Sequence, residues 1–476
     1  MDTINSQYQS LVWHFFEEIC QIPRPSGHEQ AIIAYLQQFA LKHGFLSKTD
    51  AAGNLVIIKP GEAPAIALQA HVDMVCEKQM DSTHNFLEDP INTYTEDGWL
   101  KAKGTTLGAD NGIGVALALA SLLDYQGNKQ LEALFTVEEE TGLTGAAAVK
   151  ADFISAPILL NLDSEDDREL IIGCAGGCET AGYWKIEEMD CPQGMFFVEV
   201  TIKGLQGGHS GSDIHLPRAN ANKLLGQFLK QTQEKYPFYL HSINGGGLHN
   251  AIAREATALF AVPFADREHI RIDWNIYIAE QEDIWLKEET KMRFDLTSRP
   301  AKDKVYTTQL TNGIVQALCQ CKHGVIKMSE QIEGVVETSI NLASIQPKDG
   351  NLVMVSSQRS MYEDQLNALA FETYQTLTEC GATAAIYNGY PAWQPRFDSP
   401  LLKKAKETYQ AIYKREADVK VIHAGLECGL FYQTNPKLDL LSFGPTLLGV
   451  HSPKERLNIE STNQVANYLR ELLKTL

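Results

Sequence analysis

Five apolar runs of this 476-residue chain lead into side chains that bind cations. "ALQAHVD" ends in His71 and Asp73, and "LGADNG" sets Asp110 just ahead of an apolar helical stretch. "LFTVEEE" ends in Glu138, Glu139 and Glu140, "LLNLDSED" carries Asp163, and "SFGPTLLGVHS" runs on to His451. Three adjacent carboxylates repel one another, so their position after a buried run calls for a compensating charge. Two histidines with several carboxylates form a hard-to-borderline donor set, suited to Zn²⁺, Mn²⁺ or Co²⁺. A pair of dications about 3.5–4 Å apart would neutralise part of such a cluster. Taken singly, each residue has an ordinary explanation. A lone His after a strand is usually no ligand, an Asp before a helix is usually its N-cap, and an acidic triplet is usually a solvated loop. Five such coincidences in one chain favour a metal centre.

The elements that must position these residues alternate between helix and strand up to about residue 175. "YQSLVWHFFEEICQ" is apolar at helical spacing and stops before Pro23 and Pro25. "SGHEQAIIAYLQQFALKHG" reads as a helix opened by a Ser26–Glu29 capping box and closed at Gly44. The runs "NLVIIK", "AIALQAHVD", "LEALFTVEEE" and "APILLNLDSED" read as strands, with the helix "NGIGVALALASLLDYQ" between two of them. Continuous Ile, Leu, Val and Ala separated by helices indicate an α/β domain with a largely buried sheet. Ligands collect outside the carboxyl ends of strands in such sheets, where distant strand-end residues converge.

The middle of the chain has another texture. "FFVEVTIKG" alternates, and "REATALFAVPF", "GVVETSINLASI" and "NLVMVSSQRSM" read as antiparallel strands with one wet face. "RANANKLLGQFLKQTQEKY" and "EDQLNALAFETYQTLTECGA" read as helices. The α/β texture returns after "YPAWQPRFDSP". The expected organisation is an α/β domain, residues 1–178 and 389–476, interrupted by an inserted α+β domain, residues 179–388.

Composition narrows the function classes. The length exceeds what one hydrophobic core serves. A net charge of −19 argues against nucleic acid as a partner and suits a chain that gathers cations. No window approaches the roughly 18 apolar residues of a membrane span, and the first residues lack the basic and apolar regions of a signal peptide. The nine scattered cysteines read as reduced thiols, without the spacing of a structural zinc site. A cytoplasmic location is therefore expected.

The motifs "HVDMV", "LGADNGIG", "EEETG", "LLNLDSED", "GGHSG" and "GVHSP" occur here in the order found in the co-catalytic zinc exopeptidases. That family includes aminoacylase, carboxypeptidase G, carnosinase and bacterial dipeptidases. With "IPRPSGHE", "GCAGG" and "HAGLECGLF", the chain more narrowly resembles the bacterial aminoacyl-histidine dipeptidases. The resemblance runs nearly end to end. It implies a three-layer α/β catalytic domain with an inserted lid and dimerisation domain, a homodimer, and two Zn²⁺ per chain, with Co²⁺ or Mn²⁺ as substitutes. It implies that His71 and Asp163 bind one metal, that His451 and Glu140 bind the other, and that Asp110 bridges them. Glu139 would be the catalytic base and Asp73 would orient His71; Glu138 is given no role. The peptide after Asp110 would be cis.

In the insert, His209 would stabilise the oxyanion, from the partner subunit in a dimer. Asn250 and Arg359 would bind the terminal carboxylate of the substrate. Glu427, beside His423 in "HAGLECGLF", would hold the substrate's ammonium or imidazole, or else would cap a helix or pair with a cation. The implied activity is hydrolysis of dipeptides, Xaa-His favoured. The alternatives are another amidohydrolase of the family, such as an N-acyl-amino-acid deacylase or a tripeptidase, or a non-catalytic metal-binding protein on the same fold. No nucleic acid or membrane is expected as a partner.

Overall fold

The apolar runs leading to His71 and Asp163 are neighbouring strands, Glu62–His71 and Ile158–Asn161, in parallel register. Lys129–Thr136, which leads to the glutamate triplet, lies parallel on the other side of Glu62–His71. All three strands therefore point their carboxyl ends the same way. A computed structural model describes residues 2–476. The three strands are central to an eight-stranded mixed sheet. Its order is Leu46–Thr49, Leu55–Lys59, Lys129–Thr136, Glu62–His71, Ile158–Asn161, Asp439–Ser442, Glu169–Cys174 and Asp418–Ile422. From Ala65, Leu131 and Leu159 onward the side chains of the three central strands are buried, as a sheet covered on both faces requires.

The chain divides into two compact units. The first runs to Cys174 and resumes over Trp393–Val421 and Leu426–Leu476; the second comprises Ala175–Ala392 and Ile422–Gly425. A small four-stranded sheet in the first unit joins Leu447–Leu448, Arg456–Asn458, Trp99–Ala102 and Thr93–Glu96. His451 lies in the turn between the first two of these strands, which pair antiparallel.

The second unit is built on a nine-stranded antiparallel sheet. Helices Ala221–Lys235, Arg267–Trp285 and Thr308–Gln320 bury Leu225, Phe228, Trp274, Tyr277 and Ile314 against Val198, Val200 and Phe260 of its strands. Helix Glu363–Glu379 covers a further part, with Leu366 and Ala370 against Cys178. The helices Arg267–Trp285 and Thr308–Gln320 are absent from the sequence reading. In the first, Ile270, Trp274 and Tyr277 recur at helical spacing among many charged residues, so the buried stripe is narrow.

The expected Ser26–Glu29 capping box does not form. Helix Gln30–His43 starts without a side-chain cap, and Gly44 closes it in the left-handed conformation. The Ser26 hydroxyl instead donates to Asp73, and the Glu29 carboxylate accepts the N–H groups of Gly27 and Glu138. Both residues serve the loops around the acidic cluster.

Candidate metal centre

His71 closes its strand and is buried; Asp110 lies where a glycine-rich loop enters helix Ala109–Asp124. The Asp110–Asn111 peptide is cis. Asp110 is not the helix N-cap, a position taken by Gly108. Its two carboxylate oxygens face different histidines: Oδ1 is 3.1 Å from His71 Nε2, and Oδ2 is 3.2 Å from His451 Nε2. Asp163 Oδ1 is 3.4 Å from His71 Nε2, and Glu140 Oε2 is 3.1 Å from His451 Nε2. Donor atoms of His71, Asp110 and Asp163 lie within 4.8 Å of one another, as do those of Asp110, Glu140 and His451. A third such group joins His71, Glu139 and Glu140.

Asp73 organises this cluster from behind. Its Oδ1 is 3.3 Å from His71 Nδ1 and accepts the Glu139 N–H at 3.1 Å. Its Oδ2 accepts the Glu140 N–H at 3.1 Å and the Ser26 hydroxyl at 2.7 Å. Glu138 turns the chain at this point with a φ of 50°, and its carboxylate accepts from the Thr144 hydroxyl at 2.6 Å.

Charges crowd together here out of water. Burial pushes the Asp163 carboxyl up to about 6 and raises Glu139 well above the ordinary carboxylate value. Burial acts the same way on Asp110, but hydrogen bonds from His451 and His71 outweigh it and hold that carboxyl low. Hydrogen bonds with Asp110 and Glu140 raise His451 to about 11. Burial opposes protonation of His71, yet the Asp163 charge, followed by the close Asp110 and Asp73 carboxylates, lifts it well above the usual value. In the metal-free chain the imidazoles thus hold protons that cations would displace. Glu140 Oε1 and Asp163 Oδ1 are buried without a hydrogen-bond partner among the described residues. Orphaned acceptors at this density fit two divalent cations, one on each side of Asp110.

Three residues to which the sequence reading gives no part in this centre hold the loops in place. Arg24 is buried, and its guanidinium donates to the carbonyls of Val72 and Asp73 at 2.9 Å and to that of Gly108. A Cβ on Gly108 or on Gly112 would come within 2.6 Å of Arg24 Nη2, so glycine is required at both. Glu455, four residues beyond His451, accepts the N–H groups of Leu107, Gly108, Ala109 and Asp110. Ser26 is the third. Their signals are single residues whose partners lie dozens to hundreds of positions away.

Glu427 also belongs to the first unit, where it is fully enclosed. Its Oε2 accepts from Gln69 Nε2 at 2.5 Å and from the Thr136 hydroxyl at 2.9 Å. Asn161 donates to Gln69 and Ser442 donates to Asn161, at 2.5 Å each, completing a buried polar chain beneath the strand ends. Burial lifts the Glu427 carboxyl to about 8.

The second unit holds His209, Asn250 and Arg359. The His209 ring accepts at Nδ1 from the N–H groups of Gly211 and Ser212, 3.2 Å each, which leaves the ring proton on Nε2. Burial, followed by the Arg359 charge, holds this histidine below its ordinary pKa, so it is a neutral donor. Ser210 links the group: its N–H donates to the Asn250 carbonyl at 2.7 Å, and its hydroxyl lies 3.4 Å from Arg359 Nη2. Arg359 Nη1 donates to the Tyr390 hydroxyl at 2.6 Å, while its buried Nε has no partner among the described residues. His423 is buried, with Nε2 2.7 Å from the Ser339 hydroxyl, and burial pushes its pKa down to about 3.

Comparison with known proteins identifies the family of this chain. Residues 67–475 match the profile of peptidase family M20/M25/M40. The cytosol non-specific dipeptidase of Escherichia coli (strain K12) is 39% identical over 474 residues, which is 98% of this chain and 97% of that protein. The crystal structure of aminoacylhistidine dipeptidase from Vibrio alginolyticus superposes with a TM-score of 0.90 at 37% identity, covering 98% of this chain and 96% of that one. A tripeptidase from Staphylococcus aureus shares the fold, with a TM-score of 0.56 at 16% identity over 98% of each chain.

Proposed function

This chain belongs to peptidase family M20/M25/M40 and is a metallo-dipeptidase, and we propose that it cleaves dipeptides, Xaa-His favoured, at a centre of two divalent cations with Glu139 as general base. The observation that carries this reading is the Asp110 carboxylate, which offers one oxygen towards His71 and the other towards His451. His71 with Asp163 would hold one cation, and His451 with Glu140 the other. Two dications, Zn²⁺ or else Co²⁺ or Mn²⁺, would polarise the scissile carbonyl and acidify a water.

The remaining work falls to side chains. Glu139 accepts the proton of the attacking water and returns it to the leaving amine. Burial raises the proton affinity of this carboxylate above the ordinary value, which strengthens it as a base. Its neighbour Glu140 binds metal while Glu139 stays free, and the Asp73 carboxylate holds both backbones. His209 donates its Nε2 proton to the oxyanion that forms at the attacked carbon. Arg359 and Asn250 receive the C-terminal carboxylate, for which the planar guanidinium is the apt donor. In this reading the second unit is a lid and dimerisation domain, and His209 acts on the partner subunit's substrate in a homodimer. A cytoplasmic location is supported by the relative named as a cytosol enzyme. Among the described residues no helix is long and apolar enough to cross a membrane.

The testing experiment is a substrate panel of Ala-His, β-Ala-His, Ala-Ala, an N-acetyl amino acid and a tripeptide, with and without added Zn²⁺. Metal-dependent cleavage favouring Ala-His supports the reading. Cleavage of the acetylated substrate alone would replace it with a deacylase, and cleavage of the tripeptide alone with a tripeptidase.

A further inference from the structure

In the second unit, strands Gly176–Lys185, Asn351–Ser360 and Val336–Lys348 lie side by side and antiparallel. Arg359 stands opposite both Gly177 and Ser339, and Glu179 stands opposite Ser357. Side chains alternate between faces along a strand, so Arg359, Ser339, Ser357 and Glu179 share one face of this sheet. The other face carries Cys178, which packs under helix Glu363–Glu379. The face with Arg359 meets the segments that hold His209, Asn250 and His423. Ser210 and Tyr390 contact Arg359, His423 contacts Ser339, and Asn341 donates to the carbonyls of His249 and Ala251.

Glu179 brings negative charge to the face that carries Arg359; Glu337, two residues before Ser339 on the same face, is paired with Lys327 at 2.9 Å. Asp213, in the His209 segment, is occupied by Arg218 at 3.1 Å and by the His209 N–H at 2.9 Å. Glu179 is a diagonal cross-strand neighbour of Arg359, a relationship that separates two residues by about 7–8 Å. One amino acid bridges that gap when its carboxylate sits on the guanidinium and its side chain reaches across. The chain itself supplies a stand-in for such a side chain. The exposed imidazole of His249 leans on Glu179, with Nδ1 3.6 Å from Oε1. Asn388 Nδ2 donates to the same Oε1 at 3.3 Å, and Tyr387 also hydrogen-bonds this carboxylate.

We infer that Glu179 is a specificity-determining residue, which accepts the side-chain N–H of a C-terminal residue bearing an imidazole or an ammonium group. The inference rests on the dipeptidase reading, with the substrate carboxylate on Arg359. The acceptor is a carboxylate, so the hydrogen bond is charge-assisted. A substrate lacking the N–H leaves Glu179 buried against an apolar ring, and discrimination against it follows.

The experiment compares kcat/KM for Ala-His with that for Ala-thienylalanine, whose ring has a similar shape and no N–H. The wild type should prefer Ala-His about 10- to 100-fold, the range expected of a hydrogen bond to a charged group. Glu179→Gln keeps a neutral amide oxygen as an acceptor but removes the charge, and should reduce that ratio several-fold. Glu179→Lys should reverse selection, favouring Ala-Asp over Ala-His. A ratio unchanged in both variants, or a wild type indifferent to the ring N–H, overturns the assignment while leaving dipeptide cleavage intact. A wild type that cleaves none of these dipeptides overturns the dipeptidase reading itself.

Discussion

The Asp73 carboxylate receives the backbone N–H groups of both Glu139 and Glu140, at 3.1 Å each, while Oδ1 lies 3.3 Å from His71 Nδ1. One side chain therefore sets the orientation of the His71 imidazole and of the backbones of Glu139 and Glu140, the proposed base and one of the proposed ligands. Asp73→Ala should lower metal affinity about 10- to 100-fold, as loss of a group supporting a ligand does. It should also lower kcat at saturating metal, because Glu139 loses its backbone anchor. Metal titration and steady-state kinetics check both effects. Full activity restored by excess metal would show that Asp73 serves His71 alone.

Glu139→Gln separates proton transfer from metal binding. Its turnover of Ala-His should fall about 10²- to 10⁴-fold, the usual contribution of a general base. Metal analysis should find the same content as in the wild type. Loss of metal would make Glu139 a ligand, as its grouping with His71 and Glu140 also permits.

The neutral His209 ring, held as the Nε2–H tautomer by two backbone donors, is fitted to stabilise an oxyanion. His209→Ala should lower kcat about 10²- to 10³-fold with a smaller change in KM. An unchanged kcat would remove His209 from the chemical step.

Much of the first unit is legible in the sequence because its signals are local. Each of His71, Asp110, the glutamate triplet and Asp163 directly follows or precedes the apolar run that forms its strand or helix. The supporting residues are illegible for the opposite reason. Arg24 acts on Gly108, and Glu455 acts on residues 107–110, through backbone groups that any sequence supplies. The Ser26–Glu29 spacing fits a capping box, yet tertiary acceptors and donors at Asp73 and Glu138 claim both side chains. The identity of Glu179 carries no signal either, since its meaning comes from its register against Arg359.

Burial raises the Glu427 carboxyl from an ordinary 4.5 to about 8. Between those values the folded chain keeps a proton that the unfolded chain has released. Stability from this group is therefore present below about pH 4.5 and is lost as pH rises towards about 8. Glu427→Gln is neutral throughout and keeps an acceptor for Gln69 and Thr136. In chelator-treated protein its Tm should exceed that of the wild type near pH 8 and match it near pH 4.5. A variant less stable near pH 8 would show that folded Glu427 is charged and that its charge is favourable.

The central proposal is that Asp110, with His71 and His451 on either side, would hold two cations. Isothermal titration of the chelator-treated chain with Zn²⁺, beside the Asp110→Ala variant, tests it most directly. The account predicts two equivalents for the wild type and weakened binding of both in the variant. A wild type that takes up a single ion, or a variant that still binds two with undiminished affinity, would contradict it.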